Sequence, residues 1–183
     1  MSAPTRVFVA RLAKLRVFDP LGDQVGRVRD VVVVFSRQRR PRVIGLVVEV
    51  PGRRRVFLPM TRVTSVDGGQ VITTGLVNMR RFEQRHNETL VLAELIERPV
   101  VARTDHGDVE AVVEDVAIEW ERNRDWWVTK IFCREQVRAS GGLGRWSSRR
   151  GATFVAAIDD VTGLHESGAE QSAARLLEEY EDV

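Results

Sequence analysis

The sequence predicts a mainly β protein, built as two small antiparallel β-barrels in tandem with an amphipathic helix after them. Three observations carry that prediction. Short runs of β-branched residues recur between turns rich in Gly, Pro and Asp, the pattern repeats at a nearly constant offset, and helical periodicity is confined to the end of the chain. At 183 residues, with 43% hydrophobic and 30% charged side chains, the chain has the apolar content of a soluble globular protein and room for one ordinary domain or two small ones.

The first unit opens with Val17 and Phe18, and the turn Asp19-Pro20-Leu21-Gly22-Asp23 leads into residues 25–35, which are β-branched and lack a helical period. Residues 36–41 read as a turn into a strand over 43–50. Pro51-Gly52 then reverses the chain into Val56-Phe57-Leu58, and Asp67-Gly68-Gly69 separates residues 63–66 from Val71-Ile72-Thr73. Strands at this spacing suit a small closed or nearly closed barrel whose interior is filled by side chains. Residues 78–95 read equally as an extended linker with a strand at 89–92 or as a short helix. The second unit has strands over 109–120, 126–134 and 153–158. In the tail, Ala169, Ala173, Leu176, Leu177 and Tyr180 recur at helical spacing with glutamates between them. The expected division is a first barrel over 8–77, a linker over 78–91, a second barrel over 92–166, and a C-terminal helix over 167–183 that could open a further helical domain.

A shift of 85 residues lays Gly22, Asp23, Val28, Asp30, Val31 and Val43 onto Gly107, Asp108, Val113, Asp115, Val116 and Val128, in order. Val33 falls on Ile118 and Phe35 on Trp120, so apolar character carries over where identity does not. The offset changes only across loops, and the largest change is absorbed by the loop-like insertion Gly141-Gly142-Leu143-Gly144-Arg145-Trp146-Ser147-Ser148. Two units of one design explain this best.

The run Val17-Phe18-Asp19-Pro20-Leu21-Gly22-Asp23-Gln24-Val25-Gly26-Arg27-Val28-Arg29-Asp30-Val31 resembles the opening of a PRC-barrel domain. That family is named from the photosynthetic reaction centre H subunit and includes the C-terminal domain of the ribosome maturation factor RimM. Its pattern is a turn with Gly, then an apolar residue, Gly, an apolar residue, and an Asp leading a β-branched strand. Gly22, Val25, Gly26, Val28 and Asp30 match it. In the second unit Glu110 stands where Val25 does and Ala111 where Gly26 does, so the likeness there rests on Gly107, Val113, Asp115 and Val116. From Leu12 to Val161 the chain also resembles the tandem PRC-barrel segment of actinobacterial proteins that carry MgtE-type intracellular and CBS domains. The resemblance implies that the tail would begin a helical MgtE-like module, which in magnesium transporters takes part in sensing the ion.

Charge is polarised along the chain. Residues 1–85 carry 17 Lys or Arg against 6 Asp or Glu, and residues 86–183 carry 11 against 20, so the halves stand at +11 and −9. Such asymmetry fits attraction between the halves, separate partners for each, or contact of the basic half with nucleic acid or an anionic surface. Arg37, Arg39, Arg40 and Arg42 fall at one turn and Arg53, Arg54 and Arg55 at the next. Consecutive hairpin turns lie at opposite ends of their shared strand, about 25 Å apart, and two separated tips suit nucleic acid less well than one stripe. The candidate interaction residues are therefore Arg53, Arg54 and Arg55, with Trp126, Trp127 and Trp146 as aromatic anchors. Adjacent strand residues face opposite ways, so one of Trp126 and Trp127 belongs to the core and the other is partly exposed.

No residues form a catalytic constellation. His86, His106 and His165 are dispersed, Cys133 has no Cys or His neighbours for zinc and reads as a buried hydrophobe, and no phosphate loop or nucleophile elbow is present. Asp159-Asp160 and the carboxylates of the tail could offer oxygens to magnesium, or form a solvated acidic face. No apolar run reaches the roughly 20 residues of a spanning helix, and the first residues lack a signal-peptide pattern, so the expected location is cytoplasmic, with any membrane association made through a partner. The expected function is a noncatalytic interaction and regulatory module without cofactor. Its partner would be a protein or the cytoplasmic domain of a membrane protein, with self-association as a further possibility. The alternative is a ribosome- or RNA-associated factor of the RimM type that uses the basic turns.

Overall fold

The computed structural model describes residues 6–37, 39–67, 69–75, 79–137 and 151–165. The expected C-terminal helix, the inserted loop and Trp146 lie outside these residues. Thirteen strands are described: β1 (Arg6–Phe8), β2 (Arg16–Phe18), β3 (Gln24–Ser36), β4 (Arg39–Val50), β5 (Arg54–Pro59), β6 (Val63–Asp67), β7 (Gln70–Thr73), β8 (Glu88–Leu90), β9 (Pro99–Thr104), β10 (Gly107–Trp120), β11 (Trp126–Glu135), β12 (Thr153–Ala157) and β13 (Val161–Thr162). A single α-turn, α1 (Val9–Leu12), follows β1, and a π-turn (Val91–Leu95) follows β8. The segment that the sequence left open between linker and helix is thus a short strand followed by one tight turn.

The expectation of two closed or nearly closed barrels in tandem meets a sheet that is not closed. The strands form one open sheet in the order β13-β9-β10-β11-β4-β3-β2-β7-β6, with β1, β5, β8 and β12 branching from it. Strand length is the physical reason. β3, β4 and β10 run for 13, 12 and 14 residues, longer than a small barrel wall, and their far ends pair outside their own half. β4 meets β11 through Val43 opposite Trp126 and Arg42 opposite Trp127. β1 leaves its own half and pairs with β10, Val7 standing opposite Ile118 and Phe8 opposite Ala117. β8 makes the reciprocal crossing onto β3, Thr89 opposite Val33 and Leu90 opposite Val32. The offset of 85 that aligns the sequence carries Val32 and Val33 onto Ala117 and Ile118, so the two crossings occupy corresponding registers. One hydrophobic cluster accordingly takes in both halves, from Val7, Leu12 and Leu46 to Leu95, Ile118 and Ile131.

Asp30 and Asp115 show why an Asp stands at these positions. Each lies just past a break in strand register, between Val28 and Asp30 in one hairpin and Val113 and Asp115 in the other, where a bulge turns the strand. Asp30 is buried, and its Oδ1 accepts the backbone N–H groups of Val31 (2.7 Å) and Leu92 (2.8 Å) while Oδ2 accepts that of Ala93 (3.1 Å). It therefore caps the π-turn that follows β8, using donors that have no partner within the turn itself. Asp115 Oδ1 accepts from Val116 (2.8 Å) and from Ala10 (3.0 Å) in α1. Each carboxylate thus fastens the turn behind the strand that has crossed from the other half. Burial raises the pKa of both above the ordinary carboxylate range, against the pull of the N–H donors.

Two glycines of the motif have distinct tasks. Gly22 and its counterpart Gly107 sit at φ of +90° and +109°, in turns that an L side chain would strain. Gly26 has ordinary φ but no room, because a Cβ there would lie 2.6 Å from Val48 Cγ1 and 2.8 Å from the Glu49 carbonyl oxygen. In the second half Ala111 occupies the corresponding position and is fully buried.

Candidate functional site

The crossing of β4 over β11 brings together two hairpin tips that are remote in sequence. The β3–β4 tip carries Arg37, Arg39 and Arg40, and the β10–β11 tip carries Glu121. Between them, with Trp127 and Asp159, lies an open cleft of about 520 Å³. The strands extend further into this tip than the sequence suggested. Ser36 pairs with Arg39, so the turn expected over 36–41 is only two residues long, and Arg39 and Arg40 stand on β4 itself. Arg40 reaches Glu121 at 3.4 Å and Asp159 at 4.0 Å. The Asp159 side chain is 73% exposed, so water screens that pair and leaves it weak. Arg37 and Arg39 have no ion pair among the described residues.

Trp126 and Trp127 divide as strand alternation requires. Trp126 packs against the hydrophobic core, whereas Trp127 lines the cleft, and its buried indole Nε1 donor has no acceptor among the described residues. Near the same tip, the ring of His165 stacks on Phe35 at 4.8 Å and 7°. Trp120 is exposed at the end of β10.

Arg53, Arg54 and Arg55 lie at the other end of β4. All three are exposed, Arg53 in a left-handed turn conformation at φ 56°, Arg54 opposite Val50 and Arg55 opposite Glu49. A smaller depression of about 380 Å³ takes in Arg53 together with Arg29 and Glu49. Arg29 Nη2 donates to Glu49 Oε1 at 2.7 Å, and that bond, with the nearby Arg55 and Arg53, holds the Glu49 carboxyl below its ordinary value. The structure therefore does not bring Arg53–55 together with Trp126 and Trp127. The arginines that join Trp127 are those of the preceding turn. Their sequence signal, four arginines within residues 37–42, was visible, but the pairing that sets them beside Trp127 spans 85 residues.

The remaining candidates make no site among the described residues. No group of three or more His, Cys, Asp or Glu side chains is placed to hold a metal ion. Cys133 is buried and its thiol is pushed up to about 11, which leaves little thiolate at neutral pH. His106 sits in the tight turn between β9 and β10, its backbone N–H donating to Thr104 Oγ1. No described helix is long and apolar enough to cross a membrane.

Comparison with known families divides the chain where the crossings do. Residues 4–76 match the PRC-barrel domain, and residues 89–167 match the actinomycetes SH3 domain. The first match bears out the resemblance of this part of the chain to a PRC-barrel domain. The second assigns a different family to the part that the sequence suggested as a divergent PRC-barrel, and it begins inside β8, so each matched segment includes the strand it sends across. No curated protein matches the chain. The molecule thus carries a PRC-barrel domain in its first half and an actinomycetes SH3 domain in its second.

Proposed function

We propose that this chain is a noncatalytic interaction module that docks a partner protein, or the cytoplasmic domain of a membrane protein, at the cleft between its two hairpin tips. One observation carries the reading. Two arginines without ion pairs among the described residues and the side chain of Trp127 line an open concave surface, whereas the other motif residues are consumed in holding the fold. Arg and Trp are the side chains most often found to dominate binding energy at interfaces. We also take the matching registers, bulges and capping aspartates as the mark of two versions of one unit, joined by exchange of their first strands. The magnesium-linked setting has no support among the described residues.

The reading is tested by capture from native lysate at low and high salt, with bound proteins and bound RNA identified separately, for the unaltered chain and for Arg37→Glu with Arg39→Glu. The expected result is a discrete protein partner that survives high salt and is lost with the double reversal. Equal capture by both chains overturns the cleft as the docking site. Recovery of RNA that falls steeply with salt favours the RNA-associated alternative instead.

A further inference from the structure

We propose that two copies of this chain associate through β12, their β12 edges pairing antiparallel about a two-fold axis at Val155. The two halves of the chain treat equivalent edges differently. Phe57 on β5 stands opposite Val47, the partner of Asp30, and Val155 on β12 stands opposite Phe132, the partner of Asp115. On β5 the outer edge is covered by a short extended segment. Phe57 N–H donates to the Arg80 carbonyl at 3.4 Å, Phe82 N–H donates to the Arg55 carbonyl at 2.9 Å, and the Phe82 ring stacks on Phe57 at 6.4 Å. On β12 no described residue takes that place.

The register shows which groups are left over. Glu135 N–H donates to the Ala152 carbonyl, so these two form a hydrogen-bonded pair of the β11–β12 ladder. By antiparallel alternation Thr153, Val155 and Ala157 make the non-bonded pairs with β11, and their N–H and C=O groups turn to the outer edge. These positions are symmetric about Val155. Two copies related by a two-fold axis therefore set Val155 against Val155 and Thr153 against Ala157, each donor meeting an acceptor. The side chains brought opposite are neutral and exposed, Val155 at 50%. β12 holds neither a charge nor a proline, the usual devices against edge pairing, whereas β5 carries Arg54, Arg55 and Pro59 and β6 ends on Asp67. One strand pair buries less than the roughly 1,200 Å² of a stable interface, so the dimer is weak, with a Kd on the order of 100 µM.

The test follows the full chain by sedimentation equilibrium and amide exchange over concentrations that bracket this Kd. The dimer fraction is expected to rise, and the amides of Val155 and Ala157 to gain protection with it, while Phe154 and Ala156, already bonded to β11, stay unchanged. Val155→Lys sets like charges together at the axis and is expected to weaken association by about tenfold or more. Val155→Pro removes only the outward donor, is tolerated on an edge strand, and is expected to do the same. Leu21→Lys, at an apolar side chain 88% exposed elsewhere, leaves association unchanged. A chain that is monomeric throughout, or a dimer indifferent to both Val155 variants, overturns the proposal. Protection of these amides that is already complete at high dilution shows an edge occupied within one chain and overturns it too. Because the β12 contact is neutral, the dimer survives Arg37→Glu with Arg39→Glu, which separates this inference from docking at the cleft. A dimer lost on that reversal places the contact at the cleft instead and overturns pairing through β12.

Discussion

In the first half Arg29 reaches across from β3 to Glu49 on β4, and 85 residues later Glu114 on β10 holds Arg134 on β11, with the two charges exchanged. Both pairs begin at the bulged residue, between Val28 and Asp30 in one hairpin and between Val113 and Asp115 in the other. Bulge geometry aims a side chain outward across the neighbouring strand, and either sign of charge satisfies it once the partner is reversed as well. The aspartates that follow are not interchangeable in this way. Backbone N–H groups can only donate, so the group that caps a crossed turn must accept, and Asp stands at both 30 and 115. What is held constant between the halves is therefore the acceptor that ties each half to the other.

The sharpest way to break this comparison is to remove each acceptor in turn. Asp30→Ala leaves three backbone donors without this partner, Val31 on β3 and Leu92 and Ala93 in the π-turn, and is expected to cost about 2–4 kcal/mol. Asp115→Ala frees only two, one of them on the exposed Ala10, and is expected to cost roughly 1–2 kcal/mol. Denaturant unfolding of both variants checks the order, and equal losses would contradict it. The same residues set a pH dependence. Because both carboxyls bind their proton more tightly in the folded chain than in the unfolded one, their contribution to stability falls as pH rises from the unfolded value of about 3.9 through the raised folded value. Asp30→Asn is expected to flatten that slope in unfolding measured as a function of pH.

A second contrast lies at Gly26 and Ala111. Gly26→Ala drives a Cβ against Val48 and the Glu49 carbonyl and is expected to cost about 1–3 kcal/mol. Ala111→Gly removes a buried methyl and adds backbone freedom, for roughly 1–1.5 kcal/mol. Thermal unfolding of the two variants sharpens the claim that the first hairpin is the more closely packed there. The smallest effect is expected at the exchanged ion pair. Arg29→Glu alone should lower Tm slightly, and adding Glu49→Arg should restore it, which a double-mutant cycle reads directly.

Much of this fold is legible in the sequence because it is local. The long β-branched runs, the turn glycines and the recurring Asp mark β3, β4, β10 and β11 and their common offset. The crossings are not legible, because β1 and β8 have three residues each, too few to show a period, and nothing near Val7 indicates that its partner is Ile118. The candidate site fails for a related reason. Arg53, Arg54 and Arg55 form the tidier cluster in sequence, yet the arginines of residues 37–40 gain a tryptophan only through the contact of β4 with β11. Motif residues could be read as structural, but what each one holds depends on which strand has crossed.

The central claim is that the halves are interlocked by their first strands, and hydrogen exchange on Val7→Asp tests it most directly. Val7 lies at the start of the PRC-matching segment, but its register partner is Ile118 in the other half. The account predicts that amide protection falls first along Ala117–Glu119 of β10 and in α1, while β3 and β4 keep theirs. Loss of protection confined to β2, β3 and β4, with β10 unchanged, would contradict it.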